Sequence, residues 1–165
     1  MTPKRVRKIS VIAIFAILAA MIGLSLWAWS TQHALIQNNH HHMSVETAHA
    51  KAKKGSIVLV DVRRASEWRQ TGIPAGAHAI TMHQNRQNFL AQLREVAGTG
   101  KAARPIALIC ARGGRTSYLM RDLANAGFEN LINVTEGALG SRYGPGWLAK
   151  GLPVRTWPGP RTARP

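Results

Sequence analysis

Apolar positions fall into one long block and a series of short ones, and the long block comes first. From Ile9 to Trp29 the chain runs 21 residues without a charge, and only Ser10, Gly23 and Ser25 among them are not apolar. Wound as a helix, such a run is ~31 Å long at 1.5 Å per residue, close to the hydrocarbon thickness of a bilayer. Trp27 and Trp29 stand at its far end, where amphipathic rings favour a membrane interface. The pattern predicts a transmembrane helix over residues 9–29 behind a basic, cytoplasmic N-terminus, residues 1–8, carrying Lys4, Arg5, Arg7 and Lys8. No Lys or Arg occurs from Ser30 to Ala50, so the charge asymmetry points the rest of the chain outward. The expectation is a single-pass protein of the cytoplasmic (inner) membrane with its domain on the periplasmic side. A cleaved signal peptide ending near Ala28-Trp29-Ser30 is the alternative.

The short blocks after it alternate between two periods. Residues 30–43 are polar, include His40-His41-His42, and read as a solvated linker. Ser44 is suited to cap a helix running to Lys54, with Gly55 ending it. Ile57 to Val60 reads as a buried strand, followed by a polar stretch, a turn at Gly72-Ile73-Pro74-Ala75-Gly76 and a brief strand near His78 to Ile80. Gln84 to Val96 places Phe89, Leu90, Leu93 and Val96 on one helical face. Ile106 to Ile109 is a second buried strand, Arg115 to Ala126 a helix stopped by Gly127, and Leu131 to Val134 a third strand. Alternating strands and helices predict an α/β domain over residues 44–155 with a mainly parallel central sheet. Residues 156–165, rich in Pro and Arg, read as a flexible tail.

Charge changes this picture more than overall composition does. The chain has 22 Lys and Arg against 7 Asp and Glu, a net of +15, and only four of the basic residues precede the apolar run. A basic domain suggests anionic partners: small anions, a membrane surface or nucleic acid. An exported location argues against nucleic acid. A single cysteine among 165 residues excludes an intramolecular disulfide framework and any multi-cysteine metal site. No metal or cofactor is called for.

That cysteine sits where chemistry is expected. The order strand, Cys110-Ala111-Arg112-Gly113-Gly114-Arg115, helix aims backbone N–H groups of a helix N-terminus at one centre, which is an anion site. Positive surroundings favour the thiolate of Cys110, and a thiolate in an anion cradle is set to attack an anionic substrate. Arg112 and Arg115 are candidates to attract it, and Gly113 and Gly114 permit close backbone approach. Asn133-Val134-Thr135 matches a glycosylation acceptor pattern but lies within a predicted strand and is set aside.

Several blocks together carry a resemblance. Leu59-Val60-Asp61-Val62-Arg63, Glu67-Trp68 with Gly72-Ile73-Pro74-Ala75-Gly76-Ala77, Ile109-Cys110-Ala111-Arg112-Gly113-Gly114-Arg115-Thr116-Ser117, Ala126-Gly127-Phe128 and Gly151-Leu152-Pro153-Val154 resemble the rhodanese family of sulfurtransferases. The resemblance implies a rhodanese-like three-layer α/β fold and a catalytic Cys110 that carries sulfur as a persulfide. Ala111, Arg112, Gly113, Gly114, Arg115 and Thr116 would form the loop that binds substrate and persulfide. Asp61, Arg63 and Glu67 would support that loop, with Glu67, four residues after Arg63, placed to pair with it. The implied reaction moves sulfane sulfur from a small anionic donor such as thiosulfate to cyanide or a thiol, and a protein acceptor is a further partner. A persulfide carrier serving one partner protein is the alternative. Phosphatase or arsenate-reductase chemistry is disfavoured, because related folds of that kind have five residues between Cys and Arg where this chain has four. The segment Glu136 to Trp147 is longer than the family pattern and should border the site.

Overall fold

The computed structural model describes residues 15, 17–28, 41–98, 100 and 103–159, and divides the chain into a unit before residue 40 and a second unit from His40 onward. In the first unit residues 17–28 are helical. Among the described residues no helix is long and apolar enough to cross a membrane. This overturns the expected transmembrane helix over residues 9–29, and with it the single-pass inner-membrane placement, the membrane as partner, the periplasmic side for the domain and the export argument against nucleic acid. The expected basic N-terminus, residues 1–8, and the linker up to residue 40 lie outside the described residues.

In the second unit β1 (His41–Met43), α1 (Val45–Lys53), β2 (Val58–Asp61), α2 (Ala65–Thr71), β3 (Ile73–Pro74), β4 (Ala77–Ala79), α3 (Arg86–Ala97), β5 (Ile106–Ile109), α4 (Gly114–Asn125), β6 (Leu131–Val134), α5 (Gly146–Ala149) and β7 (Val154–Arg155) follow in order. The main sheet has the order β1-β6-β5-β2-β4, with every pair parallel. β3 and β7 form a small antiparallel ribbon apart from it.

β2, β5 and β6 are buried along their whole length, which is why they read as mainly apolar runs rather than alternations, with Asp61 at the end of β2 and Asn133 within β6 as the buried polar exceptions. Alternate residues serve opposite faces. Val58, Val60, Ile106 and Leu108 pack with Phe89 and Leu93 of α3 and Leu119, Met120 and Leu123 of α4. Leu59, Ala107, Ile109, Ile132 and Val134 pack with Val45 and Ala48 of α1, Trp68 of α2 and Trp147 of α5. The result is the three-layer α/β arrangement expected, with the sheet between two helical layers.

Local chemistry starts and stops these elements. The Ser44 hydroxyl accepts from Thr47 N at 3.3 Å to cap α1, and Asn85 caps α3 through Gln87 N and Asn88 N at 2.9 and 3.3 Å. The Glu67 carboxylate reaches back to Arg64 N at 2.9 Å, which starts α2 inside the stretch whose polarity hid a helix. His41–Met43, the end of the expected linker, is the edge strand β1, because β6 offers it an open ladder in the register His41 to Ile132 and Met43 to Val134. The expected tail also begins anchored: Trp157 packs tilted against Trp68, with ring centroids 5.6 Å apart, while residues beyond 159 lie outside the description.

The long segment after β6 is built around two buried side chains. Glu136 accepts from Val45 N and Gly146 N, both at 3.2 Å, and from Lys150 Nζ, which also bridges to Glu46 at 2.7 Å. Trp147, fully buried, donates its indole N–H to Pro153 O at 3.0 Å and meets the His49 ring edge-on at 5.4 Å. Truncating a fully buried Trp costs ~3–5 kcal/mol. Trp147→Ala is therefore expected to lower the unfolding free energy of the purified chain by about that amount in urea titrations; a loss below ~1 kcal/mol would mean that this segment is not integral to the fold.

Candidate functional site

Cys110 follows β5 directly and is 1% exposed, packed with the α3 and α4 face of the core. The chain then turns through Ala111, Arg112 and Gly113 into the first residue of α4, Gly114. Gly113 caps that helix at φ 75° and ψ −17°, a left-handed conformation that favours glycine. A Cβ there would also collide with the Thr135 carbonyl oxygen. Two independent constraints thus demand glycine at this one position. The N–H groups of Ala111 to Thr116 have no backbone acceptor among the described residues, as expected for a helix N-terminus that keeps its donors for a ligand.

The loop is held from behind by the chain leaving β6. Ala138 N donates to Cys110 O and Leu139 N to Ala111 O, each at 2.8 Å. Gly137, at φ 70°, lies so close that a Cβ would strike the Ala111 carbonyl. The Arg112 guanidinium donates to Gly140 O at 3.2 Å. The lengthened 136–147 segment borders the site as expected, and it does so as a wall hydrogen-bonded to the cysteine loop.

The supporting residues sort differently from the expectation. Arg63 pairs with Asp61, not with Glu67: its Nη2 lies 2.7 Å from Asp61 Oδ2, and the two side chains are 1% and 0% exposed. Arg63 also donates to Thr71 Oγ1 and Gly72 O, each at 2.8 Å, tying the end of β2 to the end of α2. Glu67 instead takes Arg115 in a two-point pair at 2.8 and 2.5 Å. The expected Arg63–Glu67 pair fails because Arg63 turns inward at the strand end, where Asp61 already receives it, while Arg115 arrives from α4 across the site. That reach from α4 to α2 spans 48 positions in sequence and is invisible to local spacing.

Thr116 is fully buried, with Oγ1 3.6 Å from Cys110 Sγ. The same oxygen lies 2.7 Å from Asn133 Oδ1 and 2.8 Å from Gly113 O. Asn133, 1% exposed in the centre of the sheet, donates its amide to Ser117 Oγ at 2.8 Å and Gly113 O at 3.3 Å. Sequence reasoning passed over it, although a lone amide inside an apolar strand was a signal: a buried polar side chain must find partners.

Hydrogen bonding from Arg115 holds the Glu67 carboxyl down at about 2, from an ordinary value of 4.5. A carboxyl depressed in the fold contributes stability that is fully present above its unfolded value and is lost as pH falls through 4.5 toward 2. The melting temperature of Glu67→Gln is therefore expected to lie below that of the parent at neutral pH, with the gap closing as pH falls from about 5 to about 2. A gap constant over that range would show that the pair contributes nothing.

Comparison with known proteins gives a consistent result. The profile of the rhodanese-like domain matches residues 44–140. An uncharacterised protein of Rickettsia prowazekii is 31% identical over 103 residues, covering 58% of this chain and 80% of the relative. A crystal structure of a Mycobacterium tuberculosis protein, 28% identical, superposes with a TM-score of 0.52 over 71% of this chain and 98% of its own. The solution structure of a rhodanese-like domain from an Anabaena protein shares the fold at a TM-score of 0.53 and 21% identity, over 75% of this chain and 85% of that one.

Proposed function

We propose that this chain, which belongs to the rhodanese-like domain family, is a sulfurtransferase that carries sulfane sulfur on Cys110 within the loop Ala111 to Thr116. The observation that carries the reading is the single cysteine at the end of β5, directly before a helix N-terminus whose N–H groups have no backbone partner among the described residues. Such a cradle favours negative charge on a terminal sulfur atom, first on the thiolate and then on the persulfide. The boundaries of this domain, residues 44–155, belong to the same proposal.

In the first half-reaction the Cys110 thiolate attacks the outer sulfur of a donor such as thiosulfate. A Cys110 S–S bond forms, the donor's S–S bond breaks, and its electron pair leaves with sulfite. In the second half-reaction cyanide or a thiolate attacks the outer sulfur of the persulfide and the Cys110 thiolate departs. Sulfur moves at the zero-valent level throughout, so neither oxidant nor reductant is consumed. A thiol that is 1% exposed suits a slim donor end rather than a bulky one. Charge pairing also separates the two loop arginines: Arg115 is neutralised by Glu67, whereas among the described residues the Arg112 guanidinium meets only the carbonyl of Gly140. Arg112 is the loop cation left to meet an anionic donor.

Two measurements test this. Thiosulfate treatment should add about 32 Da, one sulfur atom, to the intact mass; cyanide should remove it, and Cys110→Ala should never acquire it. Absence of the adduct with thiosulfate and with a polysulfide sinks the sulfurtransferase reading. Arg112→Ala is expected to raise KM for thiosulfate about tenfold, with a smaller effect on kcat, since it removes attraction for the bound donor. An unchanged KM would remove Arg112 from donor binding.

A further inference from the structure

We infer that Asn133 is a positioning residue that governs ionisation of Cys110 through the hydroxyl of Thr116. The inference rests on Cys110 being the reacting thiol, but its test reads ionisation and stands apart from any sulfur-transfer assay.

Thr116 has one hydroxyl hydrogen and three acceptors in reach: Asn133 Oδ1 at 2.7 Å, Gly113 O at 2.8 Å and Cys110 Sγ at 3.6 Å. Gly113 O is already supplied by Ser117 N at 3.2 Å, Ser117 Oγ at 2.9 Å and Asn133 Nδ2 at 3.3 Å. Asn133 Oδ1 has no other donor among the described residues, and Asn133 is 1% exposed. The Asn133 amide is oriented by its own donor side, since Nδ2 must face Ser117 Oγ and Gly113 O, and this leaves Oδ1 toward Thr116.

With Cys110 protonated every group is satisfied: the thiol donates to Thr116 Oγ1, and Thr116 donates to Asn133 Oδ1. When Cys110 loses its proton to solvent base, the sulfur becomes an acceptor and draws the Thr116 hydrogen to itself. Asn133 Oδ1 is then left buried without a donor, which carries a free-energy penalty. Asn133 therefore competes with the thiolate for one hydrogen and sets how readily that thiolate forms.

The charged groups around the cysteine come from several elements. They are Arg112 on the loop, Arg115 of α4 with its partner Glu67 of α2, and the Asp61–Arg63 pair at the end of β2. None of these bonds to Thr116 or Asn133 among the described residues, so the effect of Asn133 is separable from theirs.

The test is the pH midpoint of Cys110 alkylation by iodoacetamide in the full chain, for the parent, Asn133→Leu, Thr116→Val and the double variant. Asn133→Leu removes the competing acceptor and is expected to lower the midpoint by about half a pH unit or more. Thr116→Val removes the thiolate's hydroxyl donor and should raise it, and adding Asn133→Leu to Thr116→Val should then change nothing. Asn133→Asp keeps the shape with a stronger acceptor and decides the matter if the leucine variant does not fold; its rise should be larger in the parent than in the Thr116→Val background. An unmoved or raised midpoint in Asn133→Leu, or equal shifts from Asn133 substitutions in both backgrounds, would overturn the inference.

Discussion

The cysteine loop keeps its shape because the chain leaving β6 is pressed against it at backbone distance. Gly113 and Gly137 are the two contact points, and at each a single added carbon would strike a carbonyl of the opposite segment. Ala138 N and Leu139 N then hydrogen-bond the first two carbonyls of the loop. With those carbonyls drawn away toward the wall, the N–H groups of Ala111 to Thr116 are free to face the other way. The proposed anion cradle is thus the far side of a close backbone contact.

Charge is arranged around this contact by pairing rather than by accumulation. The domain is strongly basic, yet three of its carboxylates pair with cations on the segments around the cysteine loop. Asp61 takes Arg63 at the end of β2, Glu67 takes Arg115 across the site, and Glu136 takes Lys150 beneath the wall. The Glu67–Arg115 pair joins α2 to α4, and the Glu136–Lys150 pair ties the chain leaving β6 to the end of α5. Arg112 is held by a carbonyl and has no carboxylate partner among the described residues. A buried polar cluster of Thr116, Ser117 and Asn133 then links the back of the loop to the centre of β6, so the strand supplies hydrogen bonds as well as apolar surface.

Much of this could be read from the amino-acid order. Ile106 to Ile109 and Leu131 to Val134 are strands at the boundaries their runs predict, since a strand buried on both faces is apolar along most of its length. The helices at Val45, Arg86 and Gly114 follow from caps and from apolar spacing. The cysteine, its glycines and its arginines were visible as a loop between strand and helix, and the flanking blocks identified the family. The apolar run over residues 9–29 was equally legible as composition, but among the described residues no helix is long and apolar enough to cross a membrane.

Tertiary structure decided the partners. Local spacing offers Arg63 to Glu67, but the fold sends Arg63 back to Asp61 and brings Arg115 from the other side, because strand ends and helix starts meet only once the sheet has formed. α2 and β1 escaped periodicity for the same reason: one is started by a side chain reaching back to its own entry, and the other exists only because β6 has an open edge. Asn133 looked like an interruption in a strand until the helix carrying Thr116 was packed over it. Sequence determined which groups are present and which segments extend or coil. Which hydrogen goes to which acceptor is settled by contacts between residues far apart along the chain, and no local pattern encodes these.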